Sequence, residues 1–575
     1  MTRRLLYTAL ALFGFSNTSL AQSTVDFSSF TRTSYNEVTV HDPSIVYDKV
    51  GTYYIFGSHR AVAKTTDLVN WTQCADNVNN YGNYGWQNAG YTIEGNEWAP
   101  DVIWNPTMNK WLMYMSLNGD KWCSSIVCLA ADNIEGPYIY QGVVIYSGFR
   151  GRVDHVGYTK TDDWKHTDLA QVTGATSLPE RYNVENWGSF WPNCIDPCVS
   201  LDNDKMYLTY GSWSGGIFQI QLDPSTGLRD YNVTYPYEVS GNSATPGAAN
   251  ANCTSDPYFG KKLAGGYYVS GEGAYIKKIG KYYYLFLSYG GLESTGGYEM
   301  RVFRSEHIDG PYDYALYDSY RLNYGPNAKT NRGQRLLGAM GAWGAVNEGE
   351  LAQGHNSVLV DEQGDAFVVY HTRYQHKGEM HNVRVRQLFV NKNGFLLTSP
   401  FRYTGKQTRQ SDIETKRLFT AEQVAGTYQM MLHPYKLDHQ NKQVSEAQTI
   451  TLTADGKIIG DGIEDGVWEF TDENKSFVHL EIDLEDYYGV AIRQNVDHLL
   501  NASAICFSAV KESYQYGGEA VWLYKLDNST TAIQNIERDA FNTDNDAPIF
   551  NLAGQRVNKD FKGIVIKNGK KFIKK

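Results

Sequence analysis

The chain has 575 residues and a formal net charge of −11 at pH 7. That length exceeds one ordinary hydrophobic core, so we expect two or three domains. The negative balance argues against a nucleic acid partner, because phosphate backbones bind clustered Lys and Arg. Aromatic residues make up 14% of the chain, 43 of them tyrosines, which favours an all-β protein with packed sheets.

The first residues have the pattern of a secretory signal peptide. Two arginines precede the apolar run Leu5–Phe15, and the tripeptide SLA ending at Ala21 forms a small-residue cleavage site. We therefore predict a signal peptide over residues 1–21 and an exported protein, located in the periplasm, at the cell surface or in the medium. The apolar run is too short to span a membrane, and no Cys follows the predicted cleavage site, so no lipid anchor is indicated.

Five stretches repeat one pattern: a short apolar run, a polar or glycine-containing turn, and an aromatic-rich run, which predicts a β-hairpin. The hairpins begin roughly 55 to 95 residues apart, a spacing that suits four-stranded propeller blades with insertions. We predict a five-bladed β-propeller over residues 36–405. The hairpins are Ile45–Ser58, Val102–Ser116, Cys198–Ser212, Tyr275–Tyr289 and Ser357–Thr372.

One chemically active residue stands about ten to twelve residues before the second run of each hairpin. If equivalent strands surround one axis, these side chains converge on a central point. The five residues are Asp42, Asp101, Asp196, Glu272 and His355.

Two stretches of the repeated region, about 148–190 and 324–350, have the character of insertions. Long loops on a rigid scaffold often shape binding sites. The sequence does not show where they fold.

The chain has seven cysteines, and export permits disulfides. Cys194–Cys198 and Cys123–Cys128 are close enough in sequence to pair, but neighbouring positions on a strand point apart. Both pairings are left open.

A second region begins near Phe419. Alternating apolar segments with Asp-Gly and Gly-Gly turns predict a small antiparallel β-barrel or sandwich over residues 418–527. Residues 528–575 are a polar linker and a tail whose last twenty residues, Arg556–Lys575, hold eight Lys or Arg and one Asp. The tail is either a solvated basic segment or a sorting tail, since it resembles the C-terminal segments of exported Bacteroidetes proteins.

Three acidic residues carry the chemical signal. Asp42 and Asp196 are each followed by Pro, which we expect to hold the Asp in extended geometry, and Glu272 stands in the segment GEG. A single Asp-Pro pair is more often a turn or a strand cap, but three acidic residues at equivalent positions favour a site. Three converging carboxylates repel one another, so their pKa values split and supply both an acid and a base. Glycoside hydrolysis uses such a pair.

The segments HDPSI, WAPDV, IDPCV, EGAYI and GHNSV closely resemble the five-bladed propeller enzymes of glycoside hydrolase family 43, and most of all its endo-α-1,5-L-arabinanases. The resemblance covers the whole repeated region and includes its closing segment, Val383–Tyr403. The second region resembles the C-terminal barrel of the larger, two-domain arabinanases.

The resemblance implies catalytic roles residue by residue. Asp42 matches the general base, Glu272 the general acid, and Asp196 the carboxylate that tunes the acid's pKa and holds the substrate. The family inverts the anomeric carbon, which implies about 6.5–9.5 Å between the base and acid carboxyls. Ala274 departs from the family pattern, which usually has Pro two residues after the acid.

His355 matches a histidine that, in the resembling arabinanases, reaches a Ca²⁺ ion on the propeller axis. Chemistry alone does not demand this, because Ca²⁺ prefers six to eight oxygen ligands and a lone His is more often a core or hydrogen-bonding residue. For Asp101 we favour a structural role that closes the second blade.

The resemblance also implies substrate contacts. The aromatic side chains expected in the cleft are Trp98, Trp213 and Phe190, with packing between blades as the alternative. The polar contacts implied are Asn193, Ser212 and Ser214.

The favoured prediction is an exported endo-arabinanase whose partner is a polysaccharide, arabinan. An exo-acting α-L-arabinofuranosidase or β-xylosidase shares the same catalytic residues and differs by a cleft blocked at one end. A non-catalytic glycan-binding propeller requires the loss of a carboxylate, and all three are present. A fructosidase-type propeller carries a different first motif.

Overall fold

The computed structural model describes residues 27–75, 97–117, 122–150, 163–240, 248–265, 271–316, 332–405, 408–434, 437–438, 441–526, 548–551, 555–558, 561–567 and 570–574. The predicted signal peptide lies outside these residues. Within them, no helix is long and apolar enough to cross a membrane.

Five antiparallel sheets form the first part of the chain. The first is β1 Ser44–Tyr47, β2 Tyr53–Phe56, β3 Val62–Thr65 and β4 Thr72–Ala75; the second is β5 Glu97–Asn105, β6 Lys110–Leu117, β7 Ser125–Ala131 and β8 Ile139–Tyr146; the third is β9 Cys198–Asp202, β10 Lys205–Tyr210, β11 Ile217–Leu222, β12 Glu238–Val239, β13 Cys253–Asp256 and β14 Gly260–Ala264; the fourth is β15 Glu272–Ile279, β16 Tyr282–Tyr289, β17 Glu299–Ser305 and β18 Gln334–Leu337; the fifth is β19 Glu350–Val360, β20 Ala366–Tyr374, β21 His381–Val390 and β22 Leu396–Thr398.

The first strands of these sheets surround a common axis. They contact one another in the order β1, β5, β9, β15, β19 and back to β1, which closes a ring of five blades. Each of the five predicted hairpins is the first strand pair of one blade. Tight turns with φ above zero, at Asn203, Gly280 and Gly364, set the register of three of them. The prediction of a five-bladed propeller is confirmed.

Blade 3 has six strands rather than four, in the order β9-β10-β11-β14-β13-β12. The described part of the insertion before it is built from short helices packed on β13 and on the turn that follows it. The Tyr182 hydroxyl donates to Asp256 Oδ1 at 2.7 Å, and both side chains are fully buried. This insertion therefore supports the segment that leads to Asp196. The helices are α1 Leu169–Thr173 and the 3-10 turns Asp163–His166, Glu180–Tyr182 and Trp187–Ser189; one further 3-10 turn, Ser58–Arg60, lies in blade 1.

The predicted insertion at 324–350 is partly wrong. Its residues Gln334–Leu337 are β18, the outermost strand of blade 4, which pairs with β17. The sequence concealed this strand because it is short and follows a long polar stretch. Residues 338–349 then cross to blade 5.

The second region folds as an antiparallel barrel whose eight strands follow the order β25-β24-β23-β30-β29-β28-β27-β26. The two end strands nearly close it, because the backbone N–H of Trp468 donates to Gly456 O at 2.8 Å. Two helices precede it, and Thr420 caps the second in a capping box with Gln423. The elements are α2 Gln410–Thr415, α3 Ala421–Val424, β23 Gly426–His433, β24 Gln448–Leu452, β25 Ile458–Gly460, β26 Gly466–Phe470, β27 Phe477–Ile482, β28 Glu485–Asn495, β29 Ser503–Val510 and β30 Ala520–Leu526.

The barrel and blades 4 and 5 share one apolar core. Trp343 and Phe401 of the propeller side pack against Trp522 and Tyr524 of β30, with the Phe401 and Tyr524 rings 5.1 Å apart. The guanidinium of Arg386 lies 4.8 Å from the Trp522 ring. The barrel therefore braces the propeller through buried side chains.

The described residues near the C-terminus form a further small sheet, in the order β32-β31-β33-β34. A sorting role for this tail stays a prediction. All seven cysteines lie in the described ranges and none forms a disulfide, so neither pair considered above is bridged. The strands are β31 Ile549–Asn551, β32 Arg556–Val557, β33 Gly563–Lys567 and β34 Lys570–Lys574.

Replacing Phe401, which is 2% exposed, by Ala should lower the free energy of unfolding by about 3–5 kcal/mol, because it opens a cavity in the shared core. Urea titration measures the change. The control Val467→Ala, at a barrel position that is 39% exposed, should cost no more than about 0.5 kcal/mol. A loss below about 1 kcal/mol for Phe401→Ala would contradict a shared core.

Candidate active site

The innermost strands bring the predicted residues to one place. Asp42 stands just before β1, Asp196 just before β9, Glu272 begins β15, and His355 lies in β19. Asp42, Asp196 and His355 line one cavity on the axis, together with Asp101 and with Gly273, the neighbour of Glu272.

Four blades turn toward the axis through a left-handed residue that is not glycine. The φ angles are 54° at Asp42, 41° at Ala99, 56° at Asp196 and 47° at His355, and Gly273 has φ 60° in blade 4. Such strain is kept only where the surrounding structure enforces it. The expectation that Pro holds both Asp residues extended is therefore wrong: the turn into the strand imposes φ above zero, which Asp tolerates.

The repeated turn shows that the five predicted residues do not all occupy equivalent positions, as the sequence analysis had assumed. Asp42, Asp196 and His355 occupy the left-handed position, Glu272 precedes it by one residue, and Asp101 follows it by two. Asp101 instead accepts hydrogen bonds from the Ser44 hydroxyl and the Val199 N–H, both at 2.6 Å. It thus ties the inner strands of blades 1, 2 and 3 together. Burial raises the pKa of Asp101 to about 6, against the effect of these hydrogen bonds.

Asp42 is held in its ionised form. Its carboxylate lies 3.1 Å from His355 Nδ1 and 2.9 Å from His41 Nδ1, and it accepts a hydrogen bond from the Ser58 hydroxyl. Burial alone would raise the pKa of Asp42, but His355, His41 and His371 together hold it well below its usual value. A carboxylate that stays ionised is able to accept a proton.

Asp196 has the opposite character. Burial, followed by the nearby carboxylates of Glu272 and Asp42, raises its pKa to about 7, although His355 opposes the shift. Its Oδ2 accepts a long hydrogen bond, 3.3 Å, from the Gly273 N–H. Asp42 and Asp196 therefore show the predicted split.

Two hydroxyl groups hold the Glu272 carboxyl. The Tyr298 hydroxyl donates to Oε1 at 2.7 Å and the Ser212 hydroxyl to Oε2 at 3.1 Å. Burial raises the pKa of Tyr298 well above its usual value, so this phenol keeps its proton and remains a donor. Glu272 is half-buried, whereas Asp42 and Asp196 are buried.

The sequence model of the glycosyl hydrolases family 43 matches residues 36–162 and 156–395, and that of a C-terminal lipocalin-like domain found with the family matches 400–523. The chain belongs to glycoside hydrolase family 43.

Among similar proteins, the extracellular endo-α-(1→5)-L-arabinanase 2 of Bacillus subtilis is 33% identical over 85% of this chain and 93% of its own length. The extracellular endo-α-(1→5)-L-arabinanase of Thermotoga petrophila is 32% identical over 80% and 89%. A crystal structure of endo-1,5-α-L-arabinanase from Thermotoga petrophila aligns with a TM-score of 0.65 and 28% identity, over 86% of this chain and all of that one. The resemblance to two-domain family 43 arabinanases is confirmed.

Two of the predicted substrate contacts lie beside Glu272, and for the other four the structure gives the burial of the side chains. Ser212 and Trp213 lie beside Glu272, where the Trp213 N–H donates to Gly271 O at 2.8 Å. Asn193 and Ser214 are buried, whereas Trp98 and Phe190 are half-buried. Their contact with substrate stays a prediction.

The axial cavity offers the chemistry of a cation site. Asn356, 3% exposed, lines it, and neither its Oδ1 nor its Nδ2 has a hydrogen-bond partner. The lining also includes Asp42, Asp101 and Asp196. An oxygen-rich lining with an unsatisfied amide fits an ion such as Ca²⁺.

Three residues of the site escaped the sequence analysis: His41, His371 and Tyr298. His41 adjoins Asp42 in the chain, so a polar side chain next to a predicted site residue was a usable signal. His371 and Tyr298 come from other strands, and only the fold brings them to the carboxyls. The His41 and His371 rings stack with centroids 4.2 Å apart.

Asp196→Asn should change how stability depends on pH. The folded pKa of about 7 lies above the ordinary value, so above about pH 4 unfolding releases the proton, and stability falls by about 1.4 kcal/mol per pH unit up to about pH 7. The Asn variant lacks this contribution. The two proteins should melt at about the same temperature at pH 4. Between pH 4 and pH 7 the variant should melt at an increasingly higher temperature than the parent, when both are measured with a chelator present. A difference that does not change with pH would contradict the raised pKa.

Proposed function

We propose that this exported family 43 protein is a glycoside hydrolase that cleaves internal α-1,5-L-arabinofuranosidic links of arabinan with inversion. The observation that carries the proposal is the convergence of Asp42, Asp196 and Glu272 on the propeller axis, where the pKa of Asp42 is lowered and that of Asp196 is raised. The arabinanase names of the relatives support the substrate class.

Asp42 acts as the general base. It takes a proton from a water molecule, whose oxygen then bonds to the anomeric carbon. The neighbouring histidines lower the pKa of Asp42 and so keep its carboxylate ionised before the step. They do so by stabilising the negative charge of that carboxylate.

Glu272 acts as the general acid. It gives its proton to the leaving sugar oxygen as the bond from that oxygen to the anomeric carbon breaks. Tyr298 and Ser212 fix the direction of its carboxyl. Asp196 accepts a hydrogen bond from the N–H of Gly273, the residue after Glu272. From this position its charge sets the electrostatic field at the acid. Exchange with solvent returns both carboxyls to their starting states.

An exo-acting enzyme on the same scaffold remains the second candidate. The same three carboxyls serve both modes, and the difference lies in whether one end of the cleft is closed.

Linear α-1,5-arabinan distinguishes the two modes. Early release of mixed oligosaccharides is expected, with the β-anomer appearing first in proton NMR spectra because the reaction inverts. Early release of arabinose alone would overturn the endo mode, and cleavage of xylo-oligosaccharides instead would overturn the substrate class.

Asp42→Asn and Glu272→Gln should each lower kcat on arabinan by about 10²–10⁴-fold, because each removes one proton transfer. Reducing-end assays measure the loss. The control Asp204→Asn changes an exposed carboxylate in the turn after β9 and should leave the rate unchanged. Full activity in either site variant would refute the assigned roles.

We further propose that His355 and the axial cavity hold one Ca²⁺ ion. The unpartnered Asn356 amide and the carboxylate lining support this. When bound, the ion would add positive charge near Asp42 and lower the pKa of water it binds.

Calcium should raise the melting temperature of the parent protein, and about one ion per chain should remain after gel filtration, as measured by atomic emission. His355→Ala should lose both effects. The control His479→Gln alters a histidine on the barrel that pairs with Asp486 at 2.7 Å and should keep both. Retention of calcium by His355→Ala would assign the ion to another site.

A further inference from the structure

The contact between Tyr298 and Glu272 depends on what holds Tyr298 in place. Tyr298 ends the loop between β16 and β17, a segment that contains four glycines, and its side chain is 1% exposed. Glycine-rich backbone does not fix a side chain by itself. The position of the hydroxyl must therefore come from the surfaces against which the ring packs.

One of these surfaces is blade 5. A Cβ added to Gly354 would lie 2.4 Å from Tyr298 Cε1, so the ring rests directly on the backbone of β19. On another side, the His371 ring is nearly parallel to it at a centroid distance of 6.0 Å.

The barrel contributes side chains to the buried cluster that contains Tyr298. Tyr298 belongs to a buried apolar cluster that includes Leu437 and Val444, which stand between β23 and β24 of the barrel. Both side chains are 7% exposed. We call this group the acid-side cluster; its members are Tyr298, Ala339, Leu351, Ala352, Leu437 and Val444.

Hydrogen bonds attach this part of the barrel to the propeller. The Ser445 N–H donates to Ala339 O at 3.1 Å, and the Gly341 N–H donates to Ser445 O at 2.8 Å. The amide of Gln375 donates to Lys442 O at 3.3 Å. Residues 441–446, the docking segment, therefore have a fixed position beside blade 5.

We propose that the docking segment of the C-terminal barrel positions the general acid, by holding Tyr298 against Glu272. This inference rests on the proposed catalytic role of Glu272. It makes the barrel a part of the active site that never touches the reacting bond. Tyr298 and Val444 are positioning residues, and a displacement of about 1 Å of a group that positions a reacting carboxyl is enough to cost up to about 100-fold in rate.

The leaving group of the substrate separates this role from simple bracing. Cleavage of an arabino-oligosaccharide expels a sugar hydroxyl, which takes its proton from the acid, whereas cleavage of a 2,4-dinitrophenyl α-1,5-arabinobioside expels 2,4-dinitrophenolate, which needs no proton. A defect in the acid slows the first substrate and spares the second. A loss of folded protein slows both equally.

Glu272→Gln calibrates the assay and should slow only the oligosaccharide. Tyr298→Phe should lower kcat on the oligosaccharide by about 10- to 50-fold, with KM nearly unchanged and less than about 3-fold change on the aryl substrate. Val444→Ala should show the same pattern at about 3- to 10-fold. Val444→Ile keeps a branched apolar side chain in the acid-side cluster and should keep the parent's kcat on the oligosaccharide.

Two matched controls complete the design. Tyr114→Phe removes a buried hydroxyl that donates to Gly227 O at 2.7 Å, between blades 2 and 3. Val478→Ala opens the barrel core, where Val478 is 1% exposed, without touching the docking segment. Neither should change the ratio of the two rates, and melting curves confirm that every variant is folded at the assay temperature.

The outcomes separate the two proposals. If Glu272→Gln slows both substrates equally, the assignment of the acid fails. If Glu272→Gln spares the aryl substrate but Tyr298→Phe or Val444→Ala slows both equally or neither, positioning by the barrel fails and the assignment of the acid stands.

Discussion

The convergence of three carboxyl groups on one axis, two of them buried, is the constraint on which the rest of the site depends. Like charges brought out of water repel one another and lose hydration. The chain meets this cost by lowering the pKa of Asp42 with neighbouring histidines, while the pKa of Asp196 rises to about 7. The ring of five inner strands is what enforces the convergence, since each strand enters the axis through the same left-handed turn.

Much of the propeller was predictable because each blade begins with a local hairpin. Turn residues and alternating apolar positions are close in sequence, so they reveal the hairpin without knowledge of the fold. The outer strands were less visible in the sequence. Strand β18 is only four residues long, and the strand that pairs with β11 in blade 3 is β14, which follows β12 and β13 in the chain. Those positions are set by packing against neighbouring blades.

The site residues also divide into those that local sequence reveals and those that only the fold brings together. Asp42, Asp196 and Glu272 were found because each adjoins a recognisable inner strand. Asp101 was placed in the wrong register, because spacing along the chain does not resolve a shift of two residues that the left-handed turn at Ala99 makes plain. Tyr298 gave no signal, since a tyrosine among 43 becomes informative only when its hydroxyl meets a particular carboxylate.

The shared core between blades 4 and 5 and the barrel has a consequence for how this chain is divided. The sequence boundary between the two family regions falls between residues 395 and 400, yet Trp343, which precedes it, packs against Trp522 and Tyr524 of β30, the last strand of the barrel. A chain cut at that boundary would expose a broad apolar face and leave Arg386 without the Trp522 ring beside it. The two regions are separate sequence families, but the folded propeller depends on barrel side chains to cover part of its core.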